Sequence, residues 1–245
     1  MSVSHRDAEL TRRQRGRASA IEEIKAAALD ELRRHGASGV TMRGVARAID
    51  MTPSGLYRYF DDHGALLSAL CVDAHDSLSE ALAAHGAAHG ADDCGLRWFR
   101  SCLVLRSWAL AHVDEYALVV GPRLPGVAAD DALIAEAAER LMAFASGTVA
   151  QAIVDGDLVP GQLALALSPV GGDEPEGAGV PRGVATVTTG AVSALVGAVS
   201  LEAFGHLGGA AADREEHFRA YALEVMRSMG FVELPAVDEV SLAAS

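Results

Sequence analysis

The most restrictive feature of this sequence is a pair of helix starts that lie close together, at Thr41 and Thr52. Thr41 is a favourable N-cap residue, and the apolar side chains that follow it recur at helical spacing as far as Ile49. Thr52 stands directly before Pro53, so that a capping hydroxyl precedes a proline at the first helical position. The chain must reverse at Asp50, where we expect a positive φ, which Asp tolerates better than most residues. Two short helices joined by such a tight turn predict a helix-turn-helix.

The remainder of the chain is also typical of helices. Apolar residues make up 50% of the 245 residues and charged residues 22%, which excludes a disordered or fibrous chain. Aromatic residues contribute only 5%, and the abundance of Ala and Leu favours helices over a β-sandwich. We therefore predict an all-α fold of nine or ten helices, in which a three-helix head that contains the helix-turn-helix precedes a larger helical body.

Several classes of protein are excluded by simple patterns. No apolar run reaches 18 residues and no secretory signal begins the chain, so neither a membrane span nor export is expected. The three cysteines, Cys71, Cys94 and Cys102, form no CxxC motif and are odd in number. They indicate a reduced cytoplasmic location and argue against a disulfide framework or a zinc finger.

The net charge of −13 is divided unevenly along the chain. Residues 1–60 hold 11 basic and 7 acidic side chains, a net charge of +4. Residues 61–245 hold 9 basic and 26 acidic side chains, a net charge of −17. A basic head of this kind can be drawn to a polyanion such as double-stranded DNA while an acidic body stays clear of it.

The second short helix is predicted to present polar and aromatic groups to solvent. Leu56 and Phe60 lie four residues apart and form its expected buried side. The residues that then face outward are Ser54, Gly55, Tyr57, Arg58 and Tyr59. Tyrosine hydroxyls, a guanidinium and the free N–H groups of a helix start suit phosphates and base edges.

These residues belong to a longer pattern that runs from Arg17 to about Leu82. It comprises a long first helix, Gly36, Gly39-Val40-Thr41, Val45-Ala46 and then the runs MTPSGLYRYF and ALLSAL. The segment resembles the TetR family of bacterial transcription regulators. That resemblance implies that DNA is approached by Thr41, Arg43, Ser54, Gly55, Tyr57, Tyr59 and His63, of which Arg43 is best suited to reach a base edge. The full predicted DNA-binding set adds Arg17, Thr52, Pro53 and Arg58.

Two positions depart from the family pattern. The family usually has glycine in the turn, where this chain has Asp50. The family usually begins its fourth helix with a lysine that holds a phosphate, where this chain has His63 after two aspartates. We expect a weaker grip on phosphate there, because the two carboxylates repel DNA and a neutral imidazole donates one hydrogen bond without a charge.

The predicted domain organisation has four parts. A basic flexible arm occupies 1–17, the helix-turn-helix domain 18–64, the regulatory and dimerisation domain 65–232 and a frayed tail 233–245. A glycine-rich break is expected from Gly86 to Gly95, and a mobile linker at 168–183. His85, His89, Asp92, Asp93 and Cys94 could ligate a metal near this break, but the glycines favour a solvated loop, so no metal is predicted.

The body is expected to hold a small apolar ligand. The run SWALAHVDEYALVVGPRLPG resembles the regulatory domain of one actinobacterial branch of the TetR family. Aromatic and a few polar side chains of the body suit a mostly apolar cavity between helices, although such residues also fill ordinary cores. The predicted ligand set is Trp98, Phe99, Trp108, His112, Tyr116, Phe144, Thr148 and Phe204, with Met142 nearby. The acidic body favours a neutral or cationic ligand over an anionic one.

A helix at about 183–207 is apolar on nearly every side, which indicates either deep burial or a membrane. Thr, Ser, Glu202 and His206 favour burial against another chain, and a last helix is expected from about Asp213 to Met229. These two helices are predicted to form the homodimer contact through Gly190, Ala194, Gly197, Ala198, Leu201, Phe218 and Met226.

No catalytic motif is recognised, and no cofactor is expected. Cys102 and His112 could be a nucleophile and a base, but a buried structural cysteine explains Cys102 better. We expect a ligand-responsive transcriptional regulator, usually a repressor, which binds a palindromic operator as a dimer and is released by a small molecule. The alternatives are a helical ligand-binding protein or enzyme with an incidental basic head, and a transcriptional activator.

Overall fold

The computed structural model describes residues 3–36, 39–88, 93–128, 131–161, 183–207 and 213–235. These residues contain nine α-helices and no strand longer than a single bridge, which confirms the predicted all-α fold. The helices are α1 (Val3–His35), α2 (Met42–Ala48), α3 (Pro53–Leu56), α4 (His63–Ala88), α5 (Cys94–Ala111), α6 (Val113–Val120), α7 (Ala132–Asp155), α8 (Val184–Ala203) and α9 (Arg214–Met229).

The chain divides into two compact units, and the division differs from the predicted boundary after residue 64. The head unit comprises Met1–Ala74 together with Asp114–Glu136, and the body unit comprises His75–Val113 together with Ala137–Ser245. The head has its own core, in which fully buried side chains of α1, α2, α3 and α4 meet: Ile24, Ala28, Val45, Leu56, Leu66 and Leu67.

The segment 114–136 belongs to the head for reasons that periodicity does not reveal. Leu118, Leu124 and Val127 pack against the head core. Arg33 of α1 donates to Glu115 Oε1 of α6 at 2.6 Å. Apolar burial and a charge-assisted hydrogen bond therefore hold a segment distant in sequence against the first helix.

The first helix begins at Val3, which corrects the prediction of a flexible arm over 1–17 for residues 3–17. The segment has no apolar face to indicate a helix. Its Arg, Ala, Glu, Leu and Gln residues nevertheless have high intrinsic helix propensity, and Gly16 is its only glycine. The helix ends as expected at Gly36, whose φ is +70°.

A buried ion pair joins helices of the body unit. Arg106 of α5 donates from Nε and Nη2 to the two carboxylate oxygens of Glu202 on α8, both at 2.7 Å. The Arg106 guanidinium also lies 5.8 Å from the centre of the Phe218 ring on α9. Glu202 was expected to face another chain, but its carboxylate is already paired within its own.

The ends of α7 and α9 are joined by a short antiparallel contact. Leu158 and Phe231, both buried, form an isolated bridge. Val159 N donates to Gly230 O and Val232 N donates to Asp157 O, each at 2.9 Å. Gly230 has φ +104°, and a Cβ there would lie 2.0 Å from Val159 O, so glycine is required at this position.

Helix α8 is the one described helix that is long and apolar enough to cross a membrane by length and composition. One third of that stretch is buried in the protein, and Glu202 on its inner side is ion-paired. Its length and composition are therefore weak evidence for a membrane.

Helix α4 continues through Gly86 to Ala88, so the predicted glycine-rich break begins later than expected. Three predicted segments lie wholly or mostly outside the described residues: the break at 89–92, the linker at 168–183 and the tail from residue 236.

Candidate DNA-binding surface

Two threonine hydroxyls fix the starts of the short helices. Thr41 Oγ1 accepts a hydrogen bond from Gly44 N at 3.0 Å, and Thr52 Oγ1 accepts one from Gly55 N at 3.1 Å. Pro53 occupies the first turn of α3, as predicted. These caps satisfy N–H groups that would otherwise lack an intrahelical acceptor. Thr41, Thr52 and Pro53 therefore position the two helices even before any contact with DNA is considered.

The turn between the helices has the geometry expected from the sequence. Asp50 has φ +51°, the one non-glycine residue with positive φ in the described part of the chain. Met51 N donates to Ala46 O at 2.8 Å across the turn. The α-helical part of α3 ends at Leu56, and hydrogen-bonded turns continue through Tyr59, so the helix is shorter than its pattern indicated.

Burial of one side leaves a polar and basic side exposed. Met42, Val45 and Ala46 of α2 and Leu56 of α3 face the head core. The exposed side of these helices carries Arg43, Arg47, Ser54, Tyr57 and Arg58, and Tyr57 is 51% exposed. Cationic and hydroxyl-bearing groups on the second and third helices match what phosphate and base-edge contacts need.

Tyr59 and Arg17 are connected to each other rather than independently exposed. Tyr59 is half-buried and packs against the head core. The Arg17 guanidinium lies 5.3 Å from the centre of the Tyr59 ring, and Arg17 Nη1 donates to Arg58 O at 3.0 Å. This cation–π contact and hydrogen bond tie α1 to the end of α3. Arg17 was predicted as a DNA contact within a flexible arm, whereas the structure places it on α1 beside the helix-turn-helix.

His63 lies differently from the family lysine that it replaces. Its Nε2 atom is buried and has no hydrogen-bond partner in the described residues. Its Nδ1 lies 3.6 Å from where a Cβ on Gly126 would be. Asp62 caps α4 by accepting from Ala65 N at 2.8 Å. The imidazole therefore packs inside the head unit, and its buried Nε2 cannot donate to a phosphate without moving.

The predicted ligand residues do not form one group. Trp98, Phe99 and Trp108 are at most 6% exposed and fill the core of the body unit. Trp108 Nε1 donates to Ser77 Oγ at 3.1 Å, and the His112 ring stacks on Trp108. Tyr116 is buried in the head unit, and Phe204 is exposed at the end of α8. Of the predicted set, Phe144 and Thr148 line a cavity of the body unit, and the other six do not.

That cavity has a volume of about 550 Å³ and lies between α4, α5 and α7. Its size falls within the usual range for small-molecule sites. The sequence did not indicate its basic side chains, His85, Arg97 and Arg100. The i, i+3 spacing of the two arginines was a usable signal, since such residues share one face of a helix.

The predicted dimer residues are divided between surface and core. Gly190, Gly197 and Leu201 are exposed on α8, and Ala194 and Ala198 lie half-buried beside them. An open groove of about 400 Å³ is lined by Ala194, Gly197, Ala198 and Leu201, together with Tyr221 of α9; Gly190 is not part of this lining. Phe218 and Met226 are corrections, because they are 3% and 0% exposed and pack within their own chain, although Phe218 also contributes to the lining of the groove.

A possible metal cluster in the described residues brings Cys94, Asp155 and Asp157 within 4.8 Å of one another. Arg97 Nη2 donates to Cys94 Sγ at 2.9 Å, so a cation already occupies this side of the cluster. Burial raises the pKa of the Cys94 thiol, which keeps it protonated and a poor metal ligand. Two of the possible metal ligands named from the sequence, His89 and Asp92, lie outside the described residues.

Cys102 does not have the properties of a nucleophile. The residue is 3% exposed, and burial raises the pKa of its thiol to about 12. The thiolate, which is the reactive form, is therefore strongly disfavoured near neutral pH.

Two family models match the chain. The model described as "Bacterial regulatory proteins, tetR family" matches residues 24–70, and that described as "Tetracyclin repressor-like, C-terminal domain" matches residues 98–225. A curated relative, the HTH-type transcriptional regulator Rv1816 of Mycobacterium tuberculosis, is 30% identical over 203 residues, which cover 78% of this chain and 86% of that protein. The regulator Mb1846 of Mycobacterium bovis matches with the same identity and coverage.

Solved structures share the fold. The crystal structure of regulatory protein SCO4313 is similar with a TM-score of 0.71 and 27% identity, covering 87% of this chain and 98% of that one. A Rhodococcus sp. RHA1 protein of unknown function is similar in fold, with a TM-score of 0.67 and 24% identity over 86% of this chain and 95% of that one. The relatives that carry a functional description are transcriptional regulators rather than enzymes.

Proposed function

The chain belongs to the TetR family of transcriptional regulators, and we propose that it is a cytoplasmic homodimer that binds a palindromic operator and is released by a small molecule. Repression is the mode we propose, because a protein that occupies an operator without its ligand blocks the neighbouring promoter. The observation that carries the proposal is the exposed basic side of α2 and α3, held by capped helices over a buried core.

The proposed DNA contacts divide into two kinds. Arg43 is exposed on α2, and we propose that its guanidinium reads a base edge in the major groove. Ser54, Tyr57, Arg58 and the N–H groups at the start of α3 are proposed to contact phosphates, which fix register without reading sequence. Tyr59 and Arg17 are proposed to hold α1 against α3 and to reach phosphates at the edge of the site. Gly55 is proposed to let the backbone approach DNA closely.

The proposed homodimer is supported by an uncovered apolar face on α8. Leu201 is 47% exposed and Phe204 38% exposed on this face. A Cβ placed on Gly190 or Gly197 would meet nothing within 4 Å, so the single chain leaves space there. Small residues allow close approach of a second copy, and a two-fold dimer of this kind matches a palindromic DNA site.

The dimer is tested with arginine substitutions on exposed residues. Leu201→Arg and Gly197→Arg should convert the dimer to monomers and weaken operator binding, because each places a charge in the proposed contact. Both side chains have room in the single chain, so the fold should survive. Leu133→Arg is the matched control, since Leu133 of α7 is 63% exposed and lies outside the predicted contact. If both α8 variants still sediment as dimers, the dimer contact lies elsewhere in the chain.

Release by a ligand is proposed as a shift between two conformations. A small molecule that prefers the conformation unable to bind DNA stabilises the protein and lowers its affinity for the operator together. The decisive experiment recovers bound DNA across the genome and then compares transcripts of neighbouring genes with and without the regulator gene. Raised transcripts in the deletion strain support repression, lowered transcripts identify an activator, and recovery of no specific DNA contradicts the proposal.

A further inference from the structure

The cavity of the body unit has a charge opposite to that of the region around it. Residues 61–245 carry a net charge of −17, which argued for a neutral or cationic ligand. The side chains that line the cavity nevertheless include His85, Arg97 and Arg100, and the described lining contains no carboxylate. At contact distance the nearest charges dominate, because screening in salt suppresses the contribution of distant exposed charges.

Arg97 has hydrogen-bonding capacity that the described residues do not use. Its Nη2 donates to Cys94 Sγ at 2.9 Å, while its Nε is buried and has no hydrogen-bond partner in the described residues. The nearby carboxylate of Asp155 accepts from Gln151 Nε2 at 2.8 Å and lies 3.7 Å from Cys94 Sγ. A buried donor without an acceptor is unfavourable, so an acceptor supplied by a ligand would satisfy it.

Helix geometry brings a second guanidinium to the same wall. Arg97 and Arg100 are three residues apart on α5, so they project from one face of the helix. Each guanidinium presents a planar set of N–H donors that matches a carboxylate. The cavity hydroxyls do not compete as donors, because Ser101 Oγ donates to Arg97 O and Thr148 Oγ1 to Phe144 O.

The apolar part of the cavity lining comes from α4 and α7. Phe144 and Ala143 of α7 and Ala83 of α4 form it. A Cβ added at Gly86 or Gly147 would meet nothing within 4 Å, so both glycines leave space rather than make close contacts. A ligand that fits this arrangement has an anionic group at one end and an apolar portion at the other.

We propose that this cavity binds an amphipathic monocarboxylate, with its carboxylate at Arg97 and Arg100 and its apolar portion against Phe144. The binding of this molecule depends only on the cavity. Its role as the regulatory ligand rests on the proposed function as well. The basic side chains of the cavity therefore favour an anionic ligand, in place of the neutral or cationic ligand that the net charge of the region suggested.

Binding is tested directly on the full-length protein without DNA. Isothermal titration with octanoate, octanamide, octylammonium and inorganic phosphate separates charge from chain length. Octanoate should bind at least tenfold more tightly than octanamide, as expected for hydrogen bonds to a charged group. Octylammonium should bind more weakly still. Equal affinity for octanamide, or phosphate binding as tight as octanoate binding, would overturn the proposal.

Substitutions identify the site. Arg97→Met and Arg100→Met should each weaken octanoate binding about tenfold or more, while Arg227→Met, an exposed charge on α9, should leave it unchanged. Gly147→Leu should fill the cavity and abolish binding while raising Tm, because the helix loses a glycine and the new side chain has room. Unaltered octanoate binding by Gly147→Leu would overturn the assignment even if the arginine variants did not fold.

The two proposals fail in distinguishable ways. Operator binding is measured separately, with and without saturating octanoate. Octanoate that binds in an arginine-dependent manner but leaves the operator complex intact supports the carboxylate site and counts against ligand-controlled release through it. Release of operator by a neutral compound, together with no octanoate binding, supports the proposed function and overturns the carboxylate site.

Discussion

Arginine is placed in opposite ways in the two units of this protein. In the head unit, Arg43, Arg47 and Arg58 are exposed on the helix-turn-helix. In the body unit, α5 directs Arg106 into a buried ion pair and Arg97 and Arg100 towards a cavity. An exposed arginine can bind the phosphates of a long polyanion that approaches from solvent. A buried arginine instead needs one acceptor at a fixed distance and orientation. The role of an arginine can therefore be inferred only when its burial is known.

The largest expected effect on stability comes from removing the buried arginine. Arg106→Leu should lower the free energy of unfolding by about 3–5 kcal/mol, because it leaves the Glu202 carboxylate buried without its partner. Chemical denaturation measures the change. Arg227→Leu is the control, since Arg227 and Glu224 are exposed and such pairs contribute about 0–1 kcal/mol.

The double variant Arg106→Leu with Glu202→Leu sharpens the interpretation. It removes both charges, so most of the lost stability should return. A double variant as unstable as Arg106→Leu alone would mean that the guanidinium acts mainly through its packing on Phe218.

The next effect concerns the exposed side of the comparison. Arg43→Ala should weaken binding to the preferred operator by about 1–3 kcal/mol and relax the preference at one base pair, if Arg43 reads a base edge. Tyr57→Phe should instead weaken all DNA sequences about equally. Fluorescence anisotropy with the operator and with single-base variants measures both.

A uniform loss across sequences for Arg43→Ala would assign Arg43 to the phosphate contacts. The unfolding free energy of both variants should stay close to that of the parent protein, because both side chains are exposed.

The smallest expected effect concerns the turn of the head. Asp50→Gly should raise the free energy of unfolding by up to about 1 kcal/mol, since glycine adopts the observed φ of +51° without the steric cost of a Cβ. Thermal unfolding is the measurement, and Asp61→Gly, at an exposed position that no such φ restrains, is the control. A lower Tm for Asp50→Gly would show that the aspartate side chain stabilises the turn by more than its backbone costs.

The parts of the fold that depend on neighbouring residues were predictable from the sequence. The caps at Thr41 and Thr52, the positive φ at Asp50 and the end of α1 at Gly36 all involve partners within a few positions. Helix existence followed from periodicity, and the family from the pattern around α2 and α3. Such local contacts can be predicted because both interacting residues lie close together in the sequence.

Features that join distant segments were not predictable in the same way. The cavity combines residues of α4, α5 and α7, and the Arg106–Glu202 pair joins positions 96 residues apart. Aromatic residues were assigned to a ligand site by type, yet Trp98, Phe99 and Trp108 are core residues. Helical spacing identifies a buried face, but it does not distinguish a face that fills a core from one that borders a cavity.

The contact between the ends of α7 and α9 closes a long segment of chain into a ring. The bonds from Val159 N to Gly230 O and from Val232 N to Asp157 O hold its two ends together, and α8 and α9 lie between them. The entropy cost of closing a flexible ring rises only with the logarithm of its length, about 0.6 kcal/mol for each doubling. The sequence predicts a mobile linker at 168–183, so residues added or removed there should change stability little. Gly230→Ala, which opens the ring at its junction, should cost far more than any such change in length.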